Sequence, residues 1–198
     1  MCGIAGKLNL RSGRPVAGME IEAMLEPLAS RGPDGQGVWA RGAIGLGHTR
    51  LAILDPGPPS AQPMLSEDGR WVLVANGEIY NYRELRAQLE IEGFCFRSRG
   101  DCEVILALWQ MIGESCLQHL NGMFAFAIWD NREQQLFLTR DRFGEKPLYF
   151  WRNREGIAFG SDPRAFLAIP EFEPGIDESL LPFYLGLQYV PAPHSLWK

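Results

Sequence analysis

The sequence predicts an α+β protein built on antiparallel strands. Three observations carry this. Strand-like segments open the chain, amphipathic helical segments fill its middle, and a series of closely spaced strands follows. The late strands are separated by Asp130-Asn131 and by Asn153 to Gly156, turns suited to hairpins. No strand–helix alternation of the kind that builds a parallel sheet runs along the chain. Neither an internal repeat nor an interdomain linker is visible, so residues 1–198 read as one domain.

Each element has its own warrant. Residues 4 to 10 alternate, with Ile4, Leu8 and Leu10 on one face and Lys7 and Asn9 on the other. Ile21, Met24, Leu25 and Leu28 share one helix face, with Pro27 placed to break or kink it. Ser30 to Gly37 is a polar, glycine-rich turn. Ala43 to Leu54 and Trp71 to Ala75 read as buried strands, separated by the Asp55-Pro56-Gly57-Pro58-Pro59-Ser60 loop. Asn81 and Glu84 have the spacing of a helix cap and its third-residue acid; Leu85 and Leu89 follow on one face, and Gly93 closes the helix. A second helix is predicted over 101–112, with Val104, Ile105, Leu108, Met111 and Ile112 inward and Gly113 as its stop. A shorter one covers 114–120. Strands then follow at 123–129, 135–139, 148–151 and 157–159.

The bulk numbers exclude several classes. At 46% hydrophobic residues the chain can fill a core, and its net charge of −5 leaves no basic stripe for nucleic acid. No apolar run is long enough to span a membrane, and the N-terminus lacks the features of a secretory signal. Cys2, Cys95, Cys102 and Cys116 form no C-x-x-C pair and match no zinc spacing, so free thiols in a cytoplasmic protein are expected. His48, His119 and His194 are scattered, and no metal site is expected.

The second residue carries the most chemistry. In Met1-Cys2-Gly3-Ile4, removal of one methionine would leave a thiol and a free α-amine on the same residue. Free α-amines titrate near ~8, so a neutral amine can take a thiol proton near neutral pH. The plainer reading of Cys2 is a small apolar residue opening a buried strand. Five further segments stand out: Arg31-Gly32-Pro33-Asp34-Gly35, Gly47-His48-Thr49-Arg50-Leu51, Asn76-Gly77-Glu78-Ile79-Tyr80-Asn81, Gly100-Asp101-Cys102-Glu103, and Arg140 to Tyr149.

Taken together, these segments resemble the glutamine-hydrolysing domain of class II amidotransferases, the N-terminal nucleophile group. The pattern is most similar to the N-terminal half of the asparagine synthetase family. The resemblance runs from MCGIAG through SRGPDG, GHTRLAILD, NGEIYNY, GDCEV and GMFAFAIWD to RDRFGEKPLYF. It implies an αββα sandwich, two antiparallel sheets flanked by helices. It makes Cys2 the nucleophile and assigns Asn76 and Gly77 to an oxyanion hole. Arg50 is implied for the α-carboxylate of L-glutamine and Asp101 for its ammonium group. Glu78 and the backbone of Leu51, Ala52, Ile53 and Leu54 line the same pocket. Plainer readings exist: Asn-Gly as a hairpin turn, Arg50 as a surface residue, Asp101 as a helix cap. Arg31 to Gly35 is expected to order a loop near the nucleophile, and Arg140 to Tyr149 to lie near a second domain.

By the same resemblance the domain itself needs no cofactor. ATP and Mg belong to a C-terminal synthetase domain, which this chain lacks together with a closing strand pair. The expected partners are L-glutamine and that synthetase domain, with no nucleic acid, no membrane, and a homodimer as a further expectation. Aspartate leads as the amide acceptor, with another acid such as a sugar acid as the alternative. A catalytically silent module for partner contact or regulation is the contrasting reading.

Overall fold

The computed structural model describes residues 1–197; Lys198, the last residue of the expected domain, lies outside them. Nine strands are present among the described residues: β1 (Gly3–Asn9), β2 (Gly35–Arg41), β3 (Ile44–Arg50), β4 (Met64–Leu65), β5 (Trp71–Ile79), β6 (Gly122–Asp130), β7 (Gln135–Arg140), β8 (Tyr149–Arg152) and β9 (Gly156–Gly160). Four α-helices accompany them: α1 (Gly18–Leu25), α2 (Tyr82–Ile91), α3 (Cys102–Ile112) and α4 (Leu181–Leu187). The strands form two sheets, ordered β2-β3-β1-β9-β8 and β4-β5-β6-β7. Every pairing in them is antiparallel.

Period-two alternation stacks the layers. Ile4, Leu8, Ile44, Leu46 and Phe159 project from the first sheet into one cluster with Val72, Val74, Ala125, Ala127 and Trp129 from the second. The alternate residues face outward. On the first sheet Ala5 and Ala158 pack under Ile21, Met24 and Leu25 of α1, joined by Phe166 and Phe172. On the second, Leu73, Ala75, Phe126 and Ile128 pack under α3, with Leu85 and Leu89 of α2 beside it. The result is helix, sheet, sheet, helix. α1 lies so close to β3 that a Cβ on Gly45 would stand 2.5 Å from the Ile21 side chain, and one on Gly47 also 2.5 Å from it.

Several expectations need correction. β1 ends at Asn9, and Leu10 is exposed beyond it. The strand expected over 43–54 stops at Arg50, so residues 51–54 form a loop wall. β5 runs on to Ile79, placing Asn76-Gly77 inside a strand and not at its exit or in a hairpin turn. Part of the Ser30 to Gly37 turn is strand: β2 begins at Gly35. The helix expected at 114–120 is a 3₁₀ turn over Gly113–Gln118. Met111 is exposed, not inward. The Asn81 side chain caps nothing on α2; it bonds the His119 carbonyl and the Asn121 N–H instead. Asp101 likewise makes no cap bond to α3, because its carboxylate is used elsewhere. Pro27 behaves as expected: α1 stops at Leu25 and a 3₁₀ segment, Glu26–Arg31, continues.

Candidate active site

One end of the space between the sheets is open. There the inward-facing positions change from apolar to polar. On β3 the series Ile44, Leu46 continues as His48 and Arg50; on β5 the series Val72, Val74 continues as Asn76 and Glu78. Cys2 comes just before β1, on the same parity as Ile4 and Leu8, and meets them at this mouth. The cavity so formed has a volume of about 150 Å³. Cys2, Arg50, Leu51, Ala52, Ile53, Leu54, Asn76, Gly77, Glu78 and Asp101 all line it, so every site residue expected from the sequence comes together.

The thiol of Cys2 is held by the loop after β3. Its Sγ accepts a hydrogen bond from the Leu51 N–H at 3.3 Å and lies 3.7 Å from the Leu51 carbonyl. Arg31 Nε donates to the Cys2 carbonyl at 3.1 Å, which fixes the backbone on the other side. Asp34 accepts from the Ala52 N–H at 2.8 Å and ties the same loop to the turn before β2. The segment from Arg31 to Asp34 therefore orders the surroundings of Cys2. Ile53 is 72% exposed, so its side chain points away and the pocket wall there is backbone.

Asn76 is 1% exposed, and its side-chain Nδ2 has no hydrogen-bond partner among the described residues. A buried amide donor left unpaired costs on the order of 1–3 kcal/mol unless something fills it. Beside it, Gly77 must be glycine: a Cβ would stand 2.4 Å from the Met123 carbonyl oxygen and 2.7 Å from the Phe124 Cα. The strand edge next to Asn76 is held by a side chain, not a strand. Gln62 donates to the Ala75 carbonyl at 3.2 Å and accepts from the Ala75 N–H at 2.6 Å, so it acts as a one-residue extension of β4.

Arg50 spends its guanidinium on the carbonyls of Gly57 at 3.0 Å and Asp55 at 2.6 Å, which fold the proline-rich loop back over the pocket. Asp55 is held below the usual carboxylate range, first by the Ser60 hydroxyl and then by the Arg99 N–H. Asp101 is 7% exposed; one of its oxygens accepts from the Ile79 N–H at 2.8 Å and anchors the end of β5.

His48, Gln62, Cys102 and Lys146 also line the pocket, although the sequence did not mark them as site residues. Burial pushes His48 down to about 4, against an opposing hydrogen bond to Ala75 and helped by the nearby Arg50 charge. The ring is therefore neutral at pH 7, and among the described residues its buried Nε2 has no partner. Burial raises the Cys102 thiol well above its ordinary value, with the Asp101 and Cys2 charges adding to the shift. A signal for His48 existed: it sits two residues before Arg50, on the same strand parity. Gln62 and Lys146 lie in loops, where no periodicity could point to them.

A cysteine next to the chain start, brought to an Asn-Gly pair at the open end of an αββα sandwich, is the arrangement of the N-terminal nucleophile hydrolase fold. Within that class the chain belongs to the glutamine amidotransferase domain family, which matches residues 1–198. Among its relatives, glutamine-hydrolyzing asparagine synthetase 1 of Bacillus subtilis is 37% identical over 99% of this chain and 31% of that protein. Glutamine-hydrolyzing asparagine synthetase 3 of the same organism is 35% identical over 94% of this chain and 31% of that protein. Amidase chry2 of Gibberella zeae is 42% identical over 75% of this chain and 22% of that protein. The chain thus spans less than a third of the length of each. Among solved structures, the glutamine phosphoribosylpyrophosphate amidotransferase of B. subtilis superimposes with a TM-score of 0.72 at 24% identity, over 84% of this chain and 43% of that one. That likeness is one of fold.

Proposed function

We propose that this domain hydrolyses L-glutamine to glutamate and ammonia, with Cys2 as nucleophile after Met1 is removed. The neutral α-amine of Cys2 takes the thiol proton, and the thiolate attacks the side-chain amide carbon of glutamine. The oxygen becomes an oxyanion, for which the Asn76 Nδ2 and the Gly77 N–H are the donors. Collapse of the intermediate expels ammonia with the proton held by the amine and leaves a γ-glutamyl thioester. Water then releases glutamate and restores the thiol. Arg50 would turn from the loop carbonyls to the α-carboxylate, and the Asp101 carboxylate would take the α-ammonium. Glu78 and the Leu51 to Leu54 wall complete the pocket.

One observation supports this reading above the others. The unpaired Asn76 donor and the Cys2 sulfur line one cavity, and the strand positions that bring them there are otherwise core positions. A buried, unfilled donor beside a nucleophile is what a catalyst of oxyanion formation requires. It is also a cost that a silent module would have no reason to carry.

The ammonia would pass to a synthetase domain that binds ATP and Mg and activates an acid, with aspartate the leading acceptor. The likeness to two asparagine synthetases favours aspartate, and the likeness to an amidase keeps other acids in play. The exposed Phe183, Leu185 and Leu187 of α4 and the exposed Phe143 suit burial against that domain. Among the described residues no helix is long and apolar enough to cross a membrane, and no cluster of His, Cys, Asp or Glu is arranged to hold a metal. The four unpaired cysteines fit a cytoplasmic setting, and the net charge of −5 gives nucleic acid no purchase. A homodimer through exposed sheet edges is part of the same proposal.

The test is stoichiometric. Purified protein, shown by intact mass to lack Met1, should release glutamate and ammonia from glutamine in equal amounts. Release of neither from correctly processed protein would reject the reading.

A further inference from the structure

Among the described residues Lys146 is the one lysine that lines the Cys2 cavity, and it is only 5% exposed. Among the described residues its ammonium makes one hydrogen bond, to the Met1 thioether sulfur at 3.2 Å. A thioether is a weak acceptor, and burying an ammonium on so poor a partner is costly. The partner is also the residue that must leave for Cys2 to act. The backbone at Lys146 is fixed independently, because its N–H donates to the Asp141 carboxylate at 3.0 Å. Loss of Met1 therefore removes the lysine's partner without freeing the segment that carries it.

We propose that Lys146, once Met1 has gone, is the cation that keeps the new α-amine of Cys2 in its neutral, proton-accepting form. The inference rests on the glutaminase reading above. Five bonds separate the Met1 sulfur from the Cys2 nitrogen, so the Lys146 ammonium lies within about 10 Å of that nitrogen. Two positive charges that close, in a pocket walled by protein, repel each other. The amine then holds its proton less tightly and is ready as a base at lower pH. Lys146 acts through Cys2, not on the substrate.

Other charges face the same pocket. Glu78 on β5, Asp55 after β3 and Asp101 before α3 are acidic; Arg50 on β3 is basic. His48 is neutral and the Cys102 thiol is protonated at neutral pH. Arg31 reaches the Cys2 carbonyl, and Asp141 binds the Lys146 backbone. All of these are present whether or not Lys146 is charged, so the difference made by neutralising it isolates its share.

The test is the pH profile of kcat/KM for glutamine in wild type, Lys146→Met and Lys146→Arg, with loss of Met1 verified in each by intact mass. Lys146→Met keeps the length of the side chain and removes the charge. Its acid limb should move up by about 0.5–1 pH unit, so that activity falls roughly 3- to 10-fold at pH 6 and little at pH 9. Lys146→Arg should keep the limb near its wild-type position. Lys146→Gln serves as the neutral variant should Lys146→Met not fold. An unmoved limb, or a loss equal at all pH values, overturns the inference. So does a rise in KM at every pH, which would make Lys146 a substrate-carboxylate ligand. Wild-type protein that lacks Met1 but turns over no glutamine overturns the glutaminase reading, and this inference with it; turnover with an unmoved limb overturns this inference alone.

Discussion

The two ends of the inter-sheet space are built from the same strands and differ in one respect. At the far end the inward positions hold Leu8, Ile44, Val72 and Trp129, which exclude water and bind the sheets together. Two pleats further along, the equivalent positions hold Cys2, His48, Arg50, Asn76 and Glu78. The pairing of β5 with β6 does not change between them. The ladder from β5 to β6 runs unbroken from Trp71–Asp130 through Asn76–Ala125 to Ile79–Gly122. The fold thus supplies a rigid frame, and the site is made by replacing apolar side chains with polar ones at its mouth. Groups placed on strands are held more firmly than groups on loops, which suits a reaction that needs donors fixed in advance.

The comparison can be broken most severely at Cys2. Cys2→Ala should abolish glutamine hydrolysis while leaving the circular dichroism spectrum and melting temperature near wild type, since the residue stands ahead of β1 and carries no core packing. Unchanged hydrolysis in the purified variant would remove Cys2 from the mechanism.

Asn76→Ala tests the donor side. It should lower kcat by about 10²–10³ with little change in KM, because the lost donor acts on the oxyanion more than on bound glutamine. A rise in KM alone would make Asn76 a binding group.

His48 sharpens the contrast through stability. The unfolded histidine takes a proton near its ordinary value of 6.5, the folded one only near 4. Between those values the unfolded chain binds more protons, so His48 costs nothing above pH 6.5 and destabilises progressively as the pH falls toward 4. The full effect is on the order of 3 kcal/mol. Urea unfolding at pH 7 and pH 4.5 should show a smaller acid-induced loss for His48→Gln than for wild type. Equal losses would show that His48 is not the buried neutral base described here.

Asp101→Asn should have the smallest effect of these four substitutions. It preserves the shape beside the Ile79 N–H and removes the charge for the glutamine ammonium, which should lower kcat/KM by about 10- to 100-fold. A fall confined to kcat would contradict that role.

Much of this was legible in the sequence because it is periodic. β1, α1, α3 and the late strands follow from alternation or helical spacing, and the αββα layering from family resemblance. Every expected site residue lines the cavity. The misses have physical causes. β2 reads Gly-Gln-Gly-Val-Trp-Ala-Arg, with two glycines and an exposed edge, so its apolar signal is weak. Asn76-Gly77 looks like a turn because the dipeptide usually is one; here the missing Cβ lets β6 approach, and the strand continues. Asn81 has the spacing of a cap, but tertiary partners at His119 and Asn121 claim its side chain. Gln62 repairs a strand edge from a loop, and Lys146 reaches the pocket across 145 residues of sequence from Met1, which only the folded chain reveals.

The central claim is that Cys2, freed of Met1, attacks the amide carbon of glutamine at this mouth. The most direct measurement is mass spectrometry of the protein after reaction with a glutamine analogue whose side chain ends in a diazoketone, an electrophile that traps the attacking thiol. The account predicts one adduct per chain, on a Cys2 that has become the N-terminus, with excess glutamine protecting against it. An unmodified Cys2, or an adduct on Cys95, Cys102 or Cys116 that glutamine does not suppress, would contradict it.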